Sequence, residues 1–159
     1  SKTLLQPGNK NKTNYKLLKI KKMGRVFFNT RKNIQSLTAD YTALPSDSGT
    51  TFMLNAAAGL TVTLPGVADA LDGWNAVFVV ATVTTSNNYI LTEKTADDTN
   101  VIISHLVEMA DTAGPTNTGH TTITFASTPA LNDRVEIFCD GTKYYAVGLG
   151  VADAAQVQA

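Results

Sequence analysis

Two histidines and one cysteine are the side chains of this chain best suited to metal binding or nucleophilic catalysis. His105 and His120 have no cysteine near them in sequence, and no His-x-x-x-His or Cys-x-x-Cys spacing occurs. We therefore expect both to be surface or loop histidines. Cys139 alternates with Val135 and Ile137, which places it on the apolar face of a strand. It is expected to be a buried structural thiol rather than a nucleophile.

The acidic residues include pairs that a glycosidase could use, but no spacing singles out one pair. Glu93 with Asp97, or Glu108 with Asp111, could act as an acid and a base, yet any chain with thirteen acids contains such pairs by chance. The ligand spacing of a calcium loop is missing, as are a phosphate-binding glycine loop, a dinucleotide fingerprint and a nucleophile elbow. We therefore predict no catalytic residue, no metal site and no cofactor, and a protein that is not an enzyme.

Charge is segregated along the chain. Ten basic residues lie within the first 32 positions, before the first acid, Asp40; the remainder carries three basic residues and all thirteen acids. The chain thus divides into an arm of charge +10 and a body of charge −10. Such an arm is expected to lie on an acidic surface, and a copy of its own body is one candidate. The residues of the arm that we expect to bind are Tyr15, Lys16, Leu17, Leu18, Lys19, Ile20, Lys21, Lys22, Arg25, Phe27, Phe28 and Arg31.

Three kinds of partner compete for this arm. Nucleic acid would use the basic residues for phosphates and the aromatic ones for bases, but the body offers no basic face to extend that contact. A membrane would need apolar and basic residues on opposite faces, and here they do not separate. A protein partner is therefore favoured, with nucleic acid and membrane not expected.

Composition divides the chain into a basic N-terminal arm at 1–32, a β-domain at 33–150 and a flexible C-terminal tail at 151–159. Pro7 and Gly8 interrupt any regular element at the start of the arm. A short helix at Tyr15–Met23 and a tail without order are both open alternatives. The apolar residues in the arm favour ordering against a surface during assembly.

Short strand candidates follow one another through the body, separated by turn residues. They are Asn33–Leu37, Thr50–Asn55, Leu60–Leu64, Trp74–Thr84, Asn88–Glu93, Val101–Met109 (a strand or a short helix), Thr121–Ala126, Arg134–Cys139 and Lys143–Gly148. The apolar run Ala76–Ala81 predicts a strand buried on both faces, paired with Asn88–Glu93 across a turn. Asp140-Gly141 between two alternating strands is the strongest hairpin signal. The polar segment Asp111–Gly119 predicts an exposed loop.

About eight strands and almost no helical pattern predict an all-β protein, namely an antiparallel β-sandwich or jelly-roll-like domain with an extended basic N-terminal arm. About 120 residues of body are enough for one core. A single cysteine excludes an internal disulfide, and no apolar run is long enough for a membrane span. Without a visible signal segment, synthesis in a reducing cytoplasm is expected.

Two parts of the body resemble β-structural building blocks of tailed-bacteriophage virion proteins. The first includes Leu37-Thr38-Ala39-Asp40, Asp47–Asn55 and Ala57-Ala58-Gly59-Leu60-Thr61-Val62-Thr63-Leu64-Pro65. The second, Asn132–Phe138 with Asp140–Tyr145, is similar to their closing hairpin, with Tyr144 where Trp is usual. The resemblance covers most of residues 37–148 and is greatest to capsid decoration (cement) proteins.

This resemblance implies a virion protein on the outer surface of the capsid, present in many copies. The expected partners are the major capsid protein and copies of the chain itself, as a homotrimer or a dimer. The expected function is capsid stabilisation, with the arm bridging neighbouring capsid subunits. The alternative is a tail-fibre or receptor/carbohydrate-binding β-domain, which predicts an exposed aromatic site at Trp74, Tyr89 or Tyr145.

Overall fold

The computed structural model describes residues 32–70, 72–94, 101–108, 119–125, 129–150 and 156–158. These residues belong to one compact unit that begins at Arg31. The arm, including the possible helix at Tyr15–Met23, and the predicted loop up to residue 118 lie outside the described residues.

Short strands dominate the described part of the chain, as the composition predicts. A four-residue helix α1 (Val67–Ala70) and one turn of 3-10 helix (Pro45–Asp47) accompany them, and no helix in these segments is long and apolar enough to cross a membrane. The strands are β1 (Asn33–Leu37), β2 (Tyr41–Thr42), β3 (Thr50–Leu54), β4 (Leu60–Thr63), β5 (Asp72–Val80), β6 (Tyr89–Thr92), β7 (Ile102–Glu108), β8 (Gly119–His120), β9 (Thr122–Phe125), β10 (Arg134–Asp140), β11 (Tyr144–Gly150) and β12 (Gln156–Gln158). The prediction of an all-β protein is confirmed.

The strands form two sheets. The seven-stranded sheet has the order β1-β3-β5-β10-β11-β7-β8, and the five-stranded sheet has the order β12-β9-β6-β4-β2. Within the predicted C-terminal tail, β12 pairs with β9. From β1 to β6 the chain alternates between the sheets, so that each strand lies beside the strand two places earlier in sequence.

These alternating strands pair in parallel, β1 with β3 and β5 in one sheet, and β2 with β4 and β6 in the other. The first half of the body therefore consists of three stacked coils, each with one strand per sheet, an arrangement typical of β-solenoids. Stacked coils place like residues above one another: Phe52 and Phe78 are in register on β3 and β5, and their rings stack with centroids 5.2 Å apart.

Gly59 lets successive coils approach each other closely at their turns. Its φ of 78° is in the left-handed region, and a Cβ there would lie 2.6 Å from the carbonyl oxygen of Asn88 in the next coil. The amide of Thr85 donates to the Ala57 carbonyl at 2.8 Å. The connection between β3 and β4 thus supports the connection between β5 and β6.

The second half of the body closes the sheets with antiparallel pairs. The hairpin of β10 and β11 turns at Asp140-Gly141, as predicted, and β10 also pairs antiparallel with β5. The Asp140 carboxylate accepts hydrogen bonds from the backbone amides of Thr142 and Lys143 at 2.8 and 2.7 Å. Such side-chain-to-backbone bonds are the usual reason for aspartate at a turn.

The inner faces of the two sheets share one hydrophobic core. Its largest fully buried side chains come from both sheets: Trp74, Tyr89, Tyr144, Phe52, Phe78 and Phe125. Two tyrosine hydroxyls in this core bind backbone carbonyls. Tyr144 donates to Pro65 at 2.6 Å, and Tyr89 bonds to the backbone of Ala56 and Thr82.

Two predictions about strand pairing are wrong. Five of the ten described pairings are parallel, so the sheets are mixed rather than antiparallel. The segment Asn88–Glu93 was expected to pair with β5, but its strand, β6, lies in the other sheet between β4 and β9. Connections long enough to cross between sheets permit parallel neighbours, which strand-by-strand patterns do not reveal.

Candidate functional site: the outer face of the seven-stranded sheet

The twelve residues predicted for the binding arm, from Tyr15 to Arg31, lie outside the described residues. Their role stays a prediction. The described body does, however, contain several of the other residues that the sequence singled out, together with one surface that it did not.

Cys139 is buried, as predicted. Its side chain is 1% exposed, and its sulfur accepts a hydrogen bond from the amide of Gly141 at 3.3 Å. The sulfur thus faces the core beside the β10–β11 turn, where it packs as a small apolar group.

Glu93 has a structural place rather than a catalytic geometry. Its side chain is 2% exposed, and its carboxylate accepts the amide of Val101 at 3.0 Å. Asp97, Asp111 and the side chain of Glu108 lie outside the described residues. In the described segments, no three His, Cys, Asp or Glu side chains are close enough to hold a metal ion.

The four strands β5, β10, β11 and β7 present a regular grid of side chains on the outer face of their sheet. Because neighbouring strands are in register, their outward residues form three rows of four. We call these twelve residues the outer face: Asn75, Phe138, Tyr145 and Ile103 in the first row, Val77, Glu136, Val147 and His105 in the second, and Val79, Arg134, Leu149 and Val107 in the third.

Eight of these twelve side chains are apolar or aromatic, and none of the twelve is buried. Phe138, Val147 and Val107 expose 53%, 52% and 51% of their surface. Single exposed apolar residues are ordinary on a protein surface, but a contiguous group of them across four strands is typical of a docking surface.

A shallow groove of about 500 Å³ runs along the first two rows, where Val77, Ile103, Phe138 and Val147 contribute to its lining. A second depression of about 230 Å³ adjoins the third row and extends the apolar surface to Leu131. The outer face therefore carries shallow depressions lined by apolar side chains, which suit an inserted side chain or peptide segment.

Negative charge lies at one end of the outer face. Asp140 follows Phe138 by two residues on β10 and pairs with Asp72 of β5. The Thr142 hydroxyl, with the amides of Lys143 and Thr142, lowers the pKa of Asp140 to about 2. The Tyr145 hydroxyl also bonds to this carboxylate, which raises the pKa of Tyr145. Asp140 therefore stays ionised at any physiological pH, beside the aromatic row.

The predicted aromatic site is only partly available. Trp74 and Tyr89 are 2% and 0% exposed, so the expectation that either could form an exposed aromatic site is wrong. The Trp74 indole donates to the Leu44 carbonyl at 3.2 Å, inside the fold. Tyr145 alone lies on the surface, where its ring stacks on Phe138 with centroids 5.3 Å apart and planes 20° from parallel.

Sequence reasoning missed the outer face because it assigned the apolar run Ala76–Ala81 to a strand buried on both sides. Only the inward residues of β5 are fully buried, whereas Val77 and Val79 are half-buried on the outer face. A usable signal existed in β10 and β11. Phe138 and Val147 alternate with the predicted core residues and must therefore point away from the core.

No protein-family model matches the chain, and no curated protein or solved structure matches it. The function must therefore be inferred from the charges and contacts of the chain itself.

Proposed function

We propose that this protein is a structural component of a tailed-bacteriophage virion, which binds the outer surface of the capsid and stabilises it by bridging neighbouring capsid subunits. We further propose that its two sheets pack as a sandwich, with the basic arm extending from it. The major capsid protein and copies of the chain are the partners.

The observation that carries this proposal is the apolar outer face on a body of charge −10, attached to an arm of charge +10. Phe138, Val147 and Leu149 expose 53%, 52% and 42% of their surface on this face, and covering them is favourable. Complete burial of such a side chain contributes roughly 1.5–3 kcal/mol, so covering side chains that are already about half buried contributes about 1 kcal/mol each. A face of this kind supports a role in assembly.

Bridging would stabilise the shell because many copies of the chain bind it. Each copy that binds the assembled shell but not its separated subunits stabilises the shell by mass action. Each molecule would bind the shell through two contacts, the arm and the outer face. Once one contact has formed, the other is effectively intramolecular, so that two weak contacts together give strong binding.

The experiment compares binding of the full chain and of a variant lacking residues 1–31 to expanded capsids. We expect the deletion to weaken binding strongly and to make the remaining binding less sensitive to salt, because it removes nine of the ten basic residues of the arm. Unchanged affinity of the deletion variant would refute the bridging mechanism. A full-length variant with its arm lysines replaced by arginine is the control, because it keeps the charge.

A tail-fibre or receptor/carbohydrate-binding β-domain is the second candidate, and one observation favours it. Phe138 and Tyr145 form an aromatic pair beside Asn75 and Glu136, and sugars bind where aromatic rings adjoin polar side chains. A glycan array probed with the full chain separates the candidates. Glycan binding that is lost in Tyr145→Ala and kept after deletion of the arm would favour the fibre domain.

A further inference from the structure

We propose that the outer face of one copy binds the basic arm of a second copy of this chain. This inference rests on the proposed bridging function, since it names the contact through which neighbouring copies would be linked. An arm that bound only the body of its own molecule would link nothing.

The chemistry of the face matches the composition of the arm. The groove along the first two rows offers apolar side chains, among them Val77, Phe138 and Val147. The arm supplies apolar residues at short intervals, including Leu18 and Phe28. An extended peptide segment that inserts alternate side chains into a groove of a sheet is a recurring mode of recognition.

Charge distinguishes the arm from other occupants. Glu136 lies in the centre of the face, and Asp140 and Asp72 lie at its end. Two cations accompany these three acids, Arg134 within the face and Lys143 in the turn that follows Asp140. Half of the ten residues from Lys16 to Arg25 are basic. An arm laid in the groove brings these cations to the acidic groups while its apolar residues are buried.

A symmetric contact between two outer faces fits less well. It would bring together two faces that each carry the acids Glu136, Asp140 and Asp72, with Arg134 and Lys143 from each copy to offset them. Juxtaposed like charges oppose association at an interface. The arm relieves this repulsion, because it is the cationic part of a chain whose body is acidic.

The length of the arm is sufficient to link two copies. The chain leaves the body at Lys32, next to β1, which is the edge strand of the same seven-stranded sheet. At full extension the 17 residues from Tyr15 to Arg31 reach at most about 60 Å. The four strands of the outer face span only about 15–20 Å. An arm can therefore cross the gap to a neighbour and still cover its whole face.

Photo-crosslinking of the full chain, without capsids, tests this contact. A benzophenone amino acid replaces Phe138 in unlabelled protein, which is mixed with ¹⁵N-labelled protein at roughly the millimolar effective concentration of neighbouring subunits. The same probe at Leu44, whose side chain is 52% exposed outside the outer face, is the matched control. Mass spectrometry then identifies the captured peptides and their isotope label.

We expect the Phe138 probe to capture ¹⁵N-labelled peptides from residues 1–32, and the Leu44 probe to capture at least about fivefold less, as a difference near 1 kcal/mol in contact free energy implies. Replacing Lys19, Lys21 and Lys22 with glutamate should remove the capture. Capture of unlabelled arm peptides alone, capture of body peptides alone, or no arm capture at Phe138 would each overturn the inference.

The crosslinking result can be told apart from the test of the proposed function, because capsid binding is measured in a separate experiment. Arm capture without capsid binding would contradict the decoration role and keep the contact between copies. Capsid binding without arm capture would keep the decoration role and exclude this contact.

Discussion

The hydroxyl of Tyr144, on β11 of the seven-stranded sheet, donates a 2.6 Å hydrogen bond to the carbonyl of Pro65, which follows β4 of the five-stranded sheet. Both groups are buried, so this bond ties the closing hairpin to the stacked coils where water cannot replace it. A buried carbonyl that loses its donor costs more than an exposed one, because it has no other partner.

Tyr144→Phe should therefore lower the free energy of unfolding by about 1–3 kcal/mol, the usual cost of a buried group left without its partner. Tyr145→Phe, one residue away, removes a surface hydroxyl and should change it by no more than about 0.5 kcal/mol. Urea denaturation of both variants measures the difference. Equal effects would show that the bond to Pro65 contributes no more than a surface contact.

Gly59 and Gly49 form a matched pair for testing the stacked coils. Both have φ near 80°, but a Cβ at Gly59 would lie 2.6 Å from backbone, whereas a Cβ at Gly49 would meet nothing within 4 Å. Gly49→Ala should cost about 1–2 kcal/mol, the strain of a left-handed alanine. Gly59→Ala should cost clearly more in thermal or urea denaturation, because the next coil must also move. Equal costs would contradict the close approach of the two turns.

Asp140 gives a prediction about pH. Its pKa is lowered to about 2, first by the Thr142 hydroxyl and then by backbone amides, from an ordinary value of 3.8. Because the lowered pKa belongs to the folded state, the carboxylate stabilises the hairpin above pH 3.8, and this contribution is lost as the pH falls through about 2. Carbon-13 NMR titration of the side-chain carboxyl should show a midpoint near 2.

Substitution at Thr142 tests the cause of this shift. Thr142→Val removes the hydroxyl and should raise the midpoint of Asp140 towards 3.8, whereas Thr142→Ser keeps the hydroxyl and should leave it low. A midpoint unchanged in Thr142→Val would mean that the backbone amides alone hold the carboxylate ionised.

Val147 tests whether the outer face contributes to assembly. Val147→Thr keeps the β-branched shape and places a hydroxyl on the apolar face, where burial without a partner costs about 1–3 kcal/mol. We expect at least about a fivefold loss in capsid affinity and little change in the free energy of unfolding. Val83→Thr changes a side chain that is also partly exposed, 42% against 52%, but lies outside the face, and should bind normally. Equal affinity of both variants would exclude the outer face from the contact.

Local sequence patterns predicted the strands well, because the formation of a strand depends on residues that are neighbours in sequence. Asn33–Leu37 forms β1 with the predicted bounds, and the Asp140-Gly141 turn joins β10 and β11 as the dipeptide indicates. Alternation also placed Cys139 in the core correctly. Each of these properties is set by the side-chain period of a strand or by the dihedral preferences of a turn.

Pairing between distant strands could not be predicted in the same way. β6 follows β5 after eight residues, yet it crosses to the other sheet, where Tyr89 is buried and its hydroxyl bonds to the Ala56 backbone 33 residues earlier. The outer face depends on the same non-local information. Phe138, Tyr145 and Ile103 are recognisable as one row only when the register of three strands is known.

An electron cryomicroscopy reconstruction of the virion that carries this chain tests the central proposal most directly. The account predicts density for the β-domain on the outside of the head, repeated with the symmetry of the capsid lattice, with the outer face of the seven-stranded sheet covered by protein. Density for the same domain in the tail or its fibres, with none on the head, would contradict the account.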